Sequence, residues 1–534
     1  MPANRAANPA LGWIRAATRQ IISAASGTDG ASHKGDQAMH TPNLRTGPPV
    51  VFALLATAML CGREAALAKD EARIQPYAKN SFYWQYEGKP VLLLGGSSDD
   101  NLFNHPDGLA EHLDTLAACG GNYIRNTMSS RNPGNAQAFK RLDNGLYDLE
   151  QWNHEYWDRF ENLLRLCRER DIIVQIELWD PWDYFKSTGL LKEYDTKDIG
   201  WESSPYNPMM NVNYTAAESG LAEKIDFYPT REPSHHLFFH TPPTMKNAPV
   251  VRKYQEAFVD RMLSASLAYP NVLYCMNNEI GEPPAWGQYW AKFIRARAEK
   301  AGTKVCLTDM RRIGDFQSVE QVNMLHDREH FDFFEISQNN HHNDQQHYDH
   351  ILHVRSLIVA HPIPINNVKV YGGTRRNNIE NGIARFWRNV FGGCASTRFH
   401  RPGPSDQYFG LGLSELAQTH IRSARKLTDA LNVFVCTPRN DLLINRPPNQ
   451  SYCLAKPGER YAVYLPNGGT AKLDTSDAKG SLQVRWLDIA RSTWQEARTI
   501  DAEATLDLEA PSEGPWAVLV AINGAGVTRH PRAK

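Results

Sequence analysis

The stretch NVLYCMNNEIGE, Asn271–Glu282, combines the pattern of a buried strand with a polar end, and it indicates the fold of the chain. Its first half, Val272–Met276, is a short apolar run typical of a strand that is buried on both faces. Asn277, Asn278 and Glu279 follow at once, so the strand ends in a carboxylate flanked by amides. In a parallel β/α barrel the catalytic groups stand at this end of the strands. The alternative is a structural glutamate that closes the strand.

The composition narrows the possible functions. With 534 residues, 42% of them hydrophobic, the chain exceeds one ordinary domain and has ample material for a large core. A formal net charge of −1 gives no reason to expect a nucleic acid partner. Neither a G-x-G-x-x-G motif nor a P-loop occurs in the sequence, so no nucleotide cofactor is expected, and no other cofactor is indicated.

The N-terminal segment predicts export. Val50–Cys61 is an apolar run too short to cross a bilayer as a helix. Arg45 precedes it and the small-x-small site Ala66–Ala68 follows, which is typical of a secretory signal peptide cleaved near Ala68. Met39 gives this signal a better start than Met1. We therefore expect a secreted or periplasmic protein with no membrane span.

Neither the cysteines nor the histidines favour a metal site. The seven cysteines beyond the predicted cleavage site are scattered without CxxC spacing, so zinc ribbons and redox motifs are not expected, while one or two disulfides stay open. His347, His350 and His353 have helical spacing, but a metal site also needs a converging carboxylate or thiolate. The pattern favours a solvated helix with one or two histidines near a ligand.

Buried strands alternate with amphipathic helices eight times, which predicts a closed (β/α)8 TIM barrel over residues 69–431. The predicted strands are Val91–Leu94, Asn122–Asn126, Ile172–Leu178, Val272–Met276, Lys304–Thr308, Phe331–Ser337, Ile363–Tyr371 and Cys394–Arg401. Between Phe185 and about Val250 the alternation lapses, as in a functional loop. The aromatic residues of this segment form either a substrate wall or a small core: Trp201, Tyr206, Tyr214, Phe238 and Phe239.

After a last helix, Ser414–Leu431, the pattern changes to short β segments separated by turns. This change predicts a small antiparallel β-sandwich over residues 432–534, which serves either to pack against the barrel or to attach weakly to glycans. Its predicted strands are Asp441–Asn445, Tyr452–Ala455, Tyr461–Leu465, Leu482–Asp488, Ala504–Leu508 and Trp516–Ile522.

Polar and aromatic side chains follow most of the barrel strands. Because the strands of a parallel barrel end at one face, we expect these side chains around one pocket. The candidate ligand-binding residues are Asp99, Asp100, Arg125, Asn126, Glu177, Trp179, Asp180, Asn278, Asp309, Gln338, Asn339, His341, Lys369, Tyr371, Arg398 and His400.

With Asn278-Glu279 after strand four, Arg125 after strand two and aromatic strand ends, the chain resembles the clan-A glycoside hydrolases. The hairpin YWQYEGKPVLLLGG, residues 83–96, and the sandwich make it more similar to secreted bacterial barrel proteins of the apiosidase-like kind. In those proteins a β-sandwich labelled collagen-binding follows the barrel. The resemblance implies a carbohydrate substrate, hydrolysis of O-glycosidic bonds, Glu279 as general acid/base and Asn278 as a ligand of the sugar hydroxyl beside the reacting carbon.

One departure from the resemblance concerns strand seven, where the family places a nucleophilic glutamate and this chain has NNVKVY, residues 366–371. Glu335 on strand six is the best replacement, so the predicted catalytic pair is Glu279 and Glu335, with Glu177, Asp180 and Asp309 as further candidates. Lys369 is expected beside Glu279 or Glu335, either to hold that carboxylate ionised or as a structural ion pair. A carboxylate separation of about 5–5.5 Å implies retention and roughly 6.5–9.5 Å implies inversion, and both stay open.

Two other functions stay open. The missing strand-seven glutamate also fits a catalytically lapsed barrel that binds glycans. A polysaccharide lyase or metal-dependent hydrolase on the same barrel rests on Lys369, the arginines and the histidines. Fold alone does not choose among these functions.

Overall fold

The structure is a computed structural model that describes residues 71–185, 200–225, 236–372, 378–403 and 410–522. The predicted signal peptide and its cleavage site at Ala68 lie outside these residues. Within the described ranges, no helix is both long enough and apolar enough to cross a bilayer.

The strands begin with a short N-terminal hairpin and end in the sandwich. In chain order they are β1 (Gln75–Pro76), β2 (Trp84–Tyr86), β3 (Lys89–Val91), β4 (Leu93–Gly96), β5 (Tyr123–Thr127), β6 (Phe139–Arg141), β7 (Tyr147–Trp152), β8 (Ile173–Trp179), β9 (Val272–Asn277), β10 (Leu307–Thr308), β11 (Phe334–Glu335), β12 (Ile365–Asn366), β13 (Ser396–Phe399), β14 (Thr437–Pro438), β15 (Tyr452–Lys456), β16 (Arg460–Leu465), β17 (Thr470–Asp474), β18 (Ser481–Asp488), β19 (Thr493–Trp494), β20 (Arg498–Asp501), β21 (Thr505–Glu509) and β22 (Trp516–Ile522).

The helices lie mainly between the parallel strands. In chain order they are α1 (Leu109–Ala118), α2 (His154–Arg168), α3 (Ala216–Ser219), α4 (Pro249–Ser266), α5 (Pro284–Lys300), α6 (Val319–His326), α7 (Asp344–Leu357), α8 (Ile379–Phe391) and α9 (Glu415–Leu431). Local sequence explains several of their starts. The Asn153 side chain accepts from the Glu155 amide at the start of α2, and the Ser414 side chain accepts from the Ala417 amide at the start of α9.

The parallel strands follow the order expected of a barrel, but their hydrogen-bond ladder is not continuous. One six-stranded sheet has the order β10-β9-β8-β5-β4-β13, and β11 pairs with β12 in a separate parallel pair. Backbone bonds still cross both gaps. At the first, Asp332 donates to the Leu307 carbonyl at 2.8 Å; at the second, Ala395 donates to the Ile365 carbonyl at 2.8 Å, Arg398 to the Asn367 carbonyl at 3.1 Å and Val370 to the Arg398 carbonyl at 2.9 Å. The expected α/β fold of the TIM-barrel type is confirmed, whereas the ladder of the predicted closed barrel is interrupted twice.

The interruptions have a local cause, because side chains replace strand partners on the backbone. The Leu307 amide donates to the Asp332 carboxylate at 2.9 Å. The Asn367 amide donates to the Ser396 hydroxyl at 2.9 Å, and the Val368 amide to the Ser337 hydroxyl at 3.1 Å. Strands five, six and seven of the barrel, which are β10, β11 and β12, are therefore only two residues long, shorter than the sequence predicts.

The irregular segment after β8 contains a small aromatic core. The Phe238 ring lies 4.1 Å from the Tyr184 ring and 5.1 Å from the Tyr206 ring, measured between centroids. Trp201 lies 6.3 Å from Phe238 by the same measure and is fully buried. Of the two alternatives for these aromatic residues, the structure therefore favours the core.

The C-terminal part forms an antiparallel sheet in the order β14-β15-β16-β22-β18-β19, with β20 beside β18, and a separate pair of β17 and β21. The predicted strand Asp441–Asn445 is instead a 3-10 turn, Asn440–Leu442. The sheet packs on the helices that precede it: Tyr464 stacks on Trp387 of α8 at 5.2 Å, and Ser423 of α9 donates to the Ile489 carbonyl at 2.9 Å. These contacts favour a structural role for the sandwich.

All seven cysteines in the described ranges are buried free thiols: Cys119, Cys167, Cys275, Cys306, Cys394, Cys436 and Cys453. They behave as small apolar side chains of the core. The disulfides left open by the sequence are not formed in this part of the chain.

Candidate active site

The polar residues at the end of β9, which is strand four of the barrel, point in three directions. Asn277 is turned back toward α5, where its amide donates to Asp309 at 2.6 Å and its carbonyl accepts from the Trp286 indole at 2.9 Å. Asn278 is turned sideways, donating to Asp180 at 3.0 Å and accepting from Lys369. Glu279 alone of the three is partly exposed, and we refer to the solvent-facing side of its carboxylate as the cleft.

Three side chains converge on one oxygen of Glu279. Its Oε1 accepts from Lys369 Nζ at 2.6 Å, from Gln338 Nε2 at 3.1 Å and from Tyr371 Oη at 3.2 Å. We call these four residues the Glu279 cluster. Strands four, six and seven thus each contribute to one site, as the resemblance implies for the C-terminal ends of barrel strands.

The Glu279 cluster holds its carboxylate ionised. Burial raises the pKa of Glu279, but the charge of Lys369 and its hydrogen bond outweigh burial and bring the pKa below its usual range. The Glu279 side chain is 14% exposed and that of Lys369 only 3%. The resting site therefore presents an anionic carboxylate that is partly accessible to a ligand.

The same electrostatics act oppositely on Tyr371. Burial raises the pKa of the Tyr371 phenol well above its usual value, and the charge of Glu279 raises it further. The proton shared between Tyr371 and Glu279 therefore rests on the phenol.

A second group of charges, the arginine network, lies beside the Glu279 cluster. It comprises Asp100, Arg125, Arg131, Glu177, Asp180 and Arg401. Arg125 is fully buried and contacts Asp100 and Glu177, both at 2.6 Å. Arg131 contacts Asp100 at 2.9 Å and also pairs with Asp180, which in turn accepts from Asn278. Asn278 thereby connects the two groups.

Two carboxylates of the arginine network have pKa values shifted in opposite directions. Burial raises the pKa of Asp100, but the arginines around it, led by Arg125, bring it well below its usual value. For Glu177 burial outweighs Arg125, and its pKa is raised. Since Asp100, Glu177 and Asp180 are each at most 2% exposed, this network supports the floor of the cleft rather than presenting charge to it.

Glu335, the second predicted catalytic carboxylate, lies in a different environment. Its Oε1 accepts from the Ser337 backbone amide at 3.1 Å, from the Ser337 hydroxyl and from the Val368 amide at 3.3 Å, and its Oε2 accepts from Gln175 at 3.2 Å. We call these residues the Glu335 cluster. Burial raises the pKa of Glu335 to about 7 despite these hydrogen bonds. Glu335 is 2% exposed.

Several other predicted residues bond within the fold. Asn126 accepts from the Phe103 amide at 3.2 Å, and Asn339 donates to the His347 carbonyl at 2.7 Å. The Trp179 ring is fully buried and packs 5.1 Å from Trp290. Arg398 bonds Ser97 and the Val368 carbonyl. None of these four side chains is exposed in the cleft.

Two predicted histidines lie beside the Tyr371 ring, whereas Asp99 contacts another histidine. His341 is exposed, with its ring 6.3 Å from that of Tyr371. His400 lies 5.0 Å from the Tyr371 ring and 3.4 Å from Asp100, and burial lowers its pKa well below the usual value. Asp99 is partly exposed, with its carboxylate 3.8 Å from His105.

Sequence reasoning missed four polar residues that shape these groups: Arg131, Gln175, Asp183 and Ser337. Gln175 lies inside an apolar strand, and Arg131 follows β5 by several residues, so a search of strand ends overlooks both. Asp183 accepts from the Ser129 hydroxyl at 2.6 Å. Burial, and then the charge of Asp180, raise the pKa of Asp183 to about 7. It borders a cavity of about 40 Å³ beside Tyr206.

The histidines after strand six pack against each other. The His342 and His350 rings are 4.3 Å apart, and His350 bonds the Asn339 side chain at 3.0 Å. Across the described ranges, no cluster of three or more His, Cys, Asp or Glu side chains has the arrangement of a metal site.

Comparison with known proteins gives a likeness of fold. No family model and no curated protein sequence matches the chain. A glycoside hydrolase family 5 protein from Bacteroides vulgatus ATCC 8482 is 14% identical, with a TM-score of 0.57 over 85% of this chain and 94% of its own. Another solved structure, described as a glycoside hydrolase, is 12% identical, with a TM-score of 0.58 over 86% of this chain and 99% of its own. The chain therefore has the barrel fold found in these glycoside hydrolases, and the likeness, over 85% and 86% of the chain, extends beyond residues 69–431.

Proposed function

We propose that the chain is a glycoside hydrolase that cleaves O-glycosidic bonds of a poly- or oligosaccharide, with Glu279 as its catalytic acid/base. The observation that carries this proposal is the position of Glu279. It follows the fourth parallel strand, is partly exposed, and is oriented by Lys369, Gln338 and Tyr371. The carboxylates that follow strands three, five and six are each at most 2% exposed: Glu177, Asp180, Asp309 and Glu335.

Hydrolysis of a glycosidic bond requires a carboxylate that can donate and accept a proton. A glycosidic oxygen leaves poorly unless it is protonated, and the same carboxylate then removes the proton from the attacking group. Glu279 starts ionised, so its first act is to accept a proton. Asn278, held between Lys369 and Asp180, is proposed to bind the sugar hydroxyl beside the reacting carbon.

A catalytically lapsed, glycan-binding barrel is the second candidate, and the ion pair of Lys369 with Glu279 favours it. Lys369 comes from the strand-seven end, where the resemblance requires a nucleophilic glutamate. A cation there neutralises Glu279 and supplies no carboxylate of its own. Such a protein binds oligosaccharides without hydrolysing them.

Hydrolysis of a panel of plant and microbial glycans by the mature protein separates the two candidates. We expect Glu279→Gln to lower turnover at least roughly 10³-fold while glycan binding persists. The assignment fails if this variant keeps the wild-type rate, and binding without turnover by the wild type moves the conclusion to the lapsed barrel. Glu335→Gln, run beside it, tests the proposal that Glu335 is the second catalytic carboxylate.

The proposed place of action is outside the cytoplasm, on the basis of the predicted signal peptide at 50–61. Sequencing the N-terminus of the protein recovered from the periplasm and the medium tests this. A mature chain that begins near Lys69 supports export, and an intact N-terminus in the cytoplasm contradicts it.

A further inference from the structure

The end of strand seven offers a nucleophilic atom even though it has no carboxylate. Lys369 and Tyr371 are two residues apart, and both reach Oε1 of Glu279, at 2.6 and 3.2 Å. Tyr371 is held in place from behind, since Arg385 donates to its carbonyl at 3.2 Å. Its ring also lies edge-on to His400, with 5.0 Å between centroids.

The arrangement matches the general form of an activated nucleophile. A hydroxyl is weak at its own pKa and needs a base within hydrogen-bond reach, while a third group orients that base. Tyr371 supplies the hydroxyl, Glu279 the base, and Lys369 with Gln338 the orienting groups. A tyrosine nucleophile is established chemistry in a minority of glycoside hydrolases.

We propose that Tyr371 is the nucleophile of this site and that Glu279 first accepts its proton and then delivers it to the leaving group. This inference rests on the proposed hydrolase function and removes the need for a second carboxylate. Before reaction the proton rests on the phenol, because the pKa of Glu279 is lowered and that of Tyr371 is raised, so Oη gives up its proton only as its bond to the anomeric carbon forms.

The reaction balances in two steps. In the first, a bond forms between Tyr371 Oη and the anomeric carbon while the glycosidic bond breaks. Its electron pair stays on the leaving oxygen, and the phenol proton reaches that oxygen through Glu279. In the second, water attacks the anomeric carbon, the bond to Oη breaks, and a water proton returns through Glu279 to Tyr371. Two displacements at one carbon give net retention.

The test uses the whole protein and dinitrophenyl glycosides of glucose, mannose, galactose and xylose. Analogues with fluorine on the carbon beside the anomeric centre slow the second step and trap the glycosylated enzyme. Trypsin separates the candidates, because Tyr371 lies in peptide 370–375, Glu279 in 262–292 and Glu335 in 329–355. Peptide 370–375, VYGGTR, contains no carboxylate side chain. An adduct on it identifies a hydroxyl nucleophile.

We expect the adduct on peptide 370–375 of the wild type and none in Tyr371→Phe, whose turnover of the unfluorinated glycosides falls at least roughly 10³-fold. Tyr274→Phe is the matched control, because Tyr274 is a buried tyrosine of strand four that bonds Ser266 outside the cleft. Thermal melting of both variants checks that each is folded.

Other results separate failure of this inference from failure of the hydrolase proposal. An adduct on 262–292 or 329–355, hydrolysis without an adduct on 370–375, or a wild-type rate in Tyr371→Phe overturns the tyrosine and leaves the hydrolase. No hydrolysis of any glycoside in the panel overturns both.

Discussion

The Glu279 cluster and the Glu335 cluster place the same side chain at the ends of strands four and six with opposite results. Glu279 contacts a lysine, an amide and a phenol, and its pKa falls below its usual range. Glu335 contacts only neutral donors, and its pKa rises to about 7. One carboxyl is kept as an anion, and the other keeps its proton up to about neutral pH.

The difference shows that one neighbouring cation can reverse the direction of the pKa shift of a buried carboxyl. Both carboxyls accept hydrogen bonds, but neutral donors do not offset the desolvation of Glu335. Only a full charge at 2.6 Å does so for Glu279. Pairs of titratable groups whose pKa values are pushed apart are characteristic of catalytic sites, and this molecule has such a pair on strands four and six.

Removing the cation tests the comparison most strongly. Lys369→Met leaves Glu279 buried without its partner, so we expect unfolding by urea at neutral pH to show a loss of about 3–5 kcal/mol in the free energy of unfolding. Adding Glu279→Gln removes the orphaned charge, and the double variant should recover part of that loss. A loss below about 1 kcal/mol for Lys369→Met would mean that the pair contributes little.

The two glutamates should contribute to stability with opposite dependences on pH. Glu335 has a folded-state pKa of about 7 against an ordinary 4.5, so its stabilising proton is fully present below about pH 4.5 and is lost as the pH rises through 7. This contribution falls by about 1.4 kcal/mol per pH unit, up to about 3 kcal/mol in all. Glu279, with its lowered pKa, acts oppositely: its contribution is lost as the pH falls below about 4.5.

Glu335→Gln should remove the first of these dependences. Comparing denaturant midpoints of wild type and variant at about pH 5 and about pH 8, we expect the wild type to lose stability relative to the variant at the higher pH. An unchanged difference between the two proteins at both pH values would contradict a raised pKa for Glu335.

The smallest effect is expected behind strand four, where Gly287 packs against Asp309. A Cβ added at Gly287 would lie 2.4 Å from Asp309 Oδ2, so Gly287→Ala must displace the carboxylate that Asn277 bonds. We expect a loss of about 1–3 kcal/mol, measured by thermal unfolding. In the background of Asp309→Ala the same substitution should cost much less, and equal costs in both backgrounds would exclude this clash.

Sequence periodicity predicts the long strands of this fold well and the short ones poorly. The apolar pattern predicts a strand over Ile172–Leu178, and the structure has one over Ile173–Trp179, where seven consecutive residues are buried. The pattern also predicts a strand over Ile363–Tyr371, but only Ile365–Asn366 forms one. The later amides of that run bond side chains such as Ser396 and Ser337, which come from other strands and are invisible to a local pattern.

Some residues of the candidate site can be predicted from the sequence and others cannot. The convergence of polar groups at parallel strand ends predicts a site with Glu279, Gln338, Lys369 and Tyr371, and the structure brings these residues together. The same rule does not distinguish exposed from buried side chains, so it also predicts Glu177 and Trp179, which lie in the arginine network and the aromatic core. Whether a side chain reaches the cleft depends on partners distant in sequence.

The backbone of Glu279 has a consequence for how this protein can evolve or be engineered. Its φ is +51°, a left-handed conformation that costs a residue with a Cβ about 1–2 kcal/mol and that glycine or asparagine adopts more easily. A glycine or asparagine at position 279 relieves this strain but leaves Lys369 buried without its carboxylate, a loss of about 3–5 kcal/mol that outweighs the gain. Selection for thermal tolerance therefore acts on positions 279 and 369 together, and libraries screened for heat resistance should vary the two codons as a pair or keep both fixed.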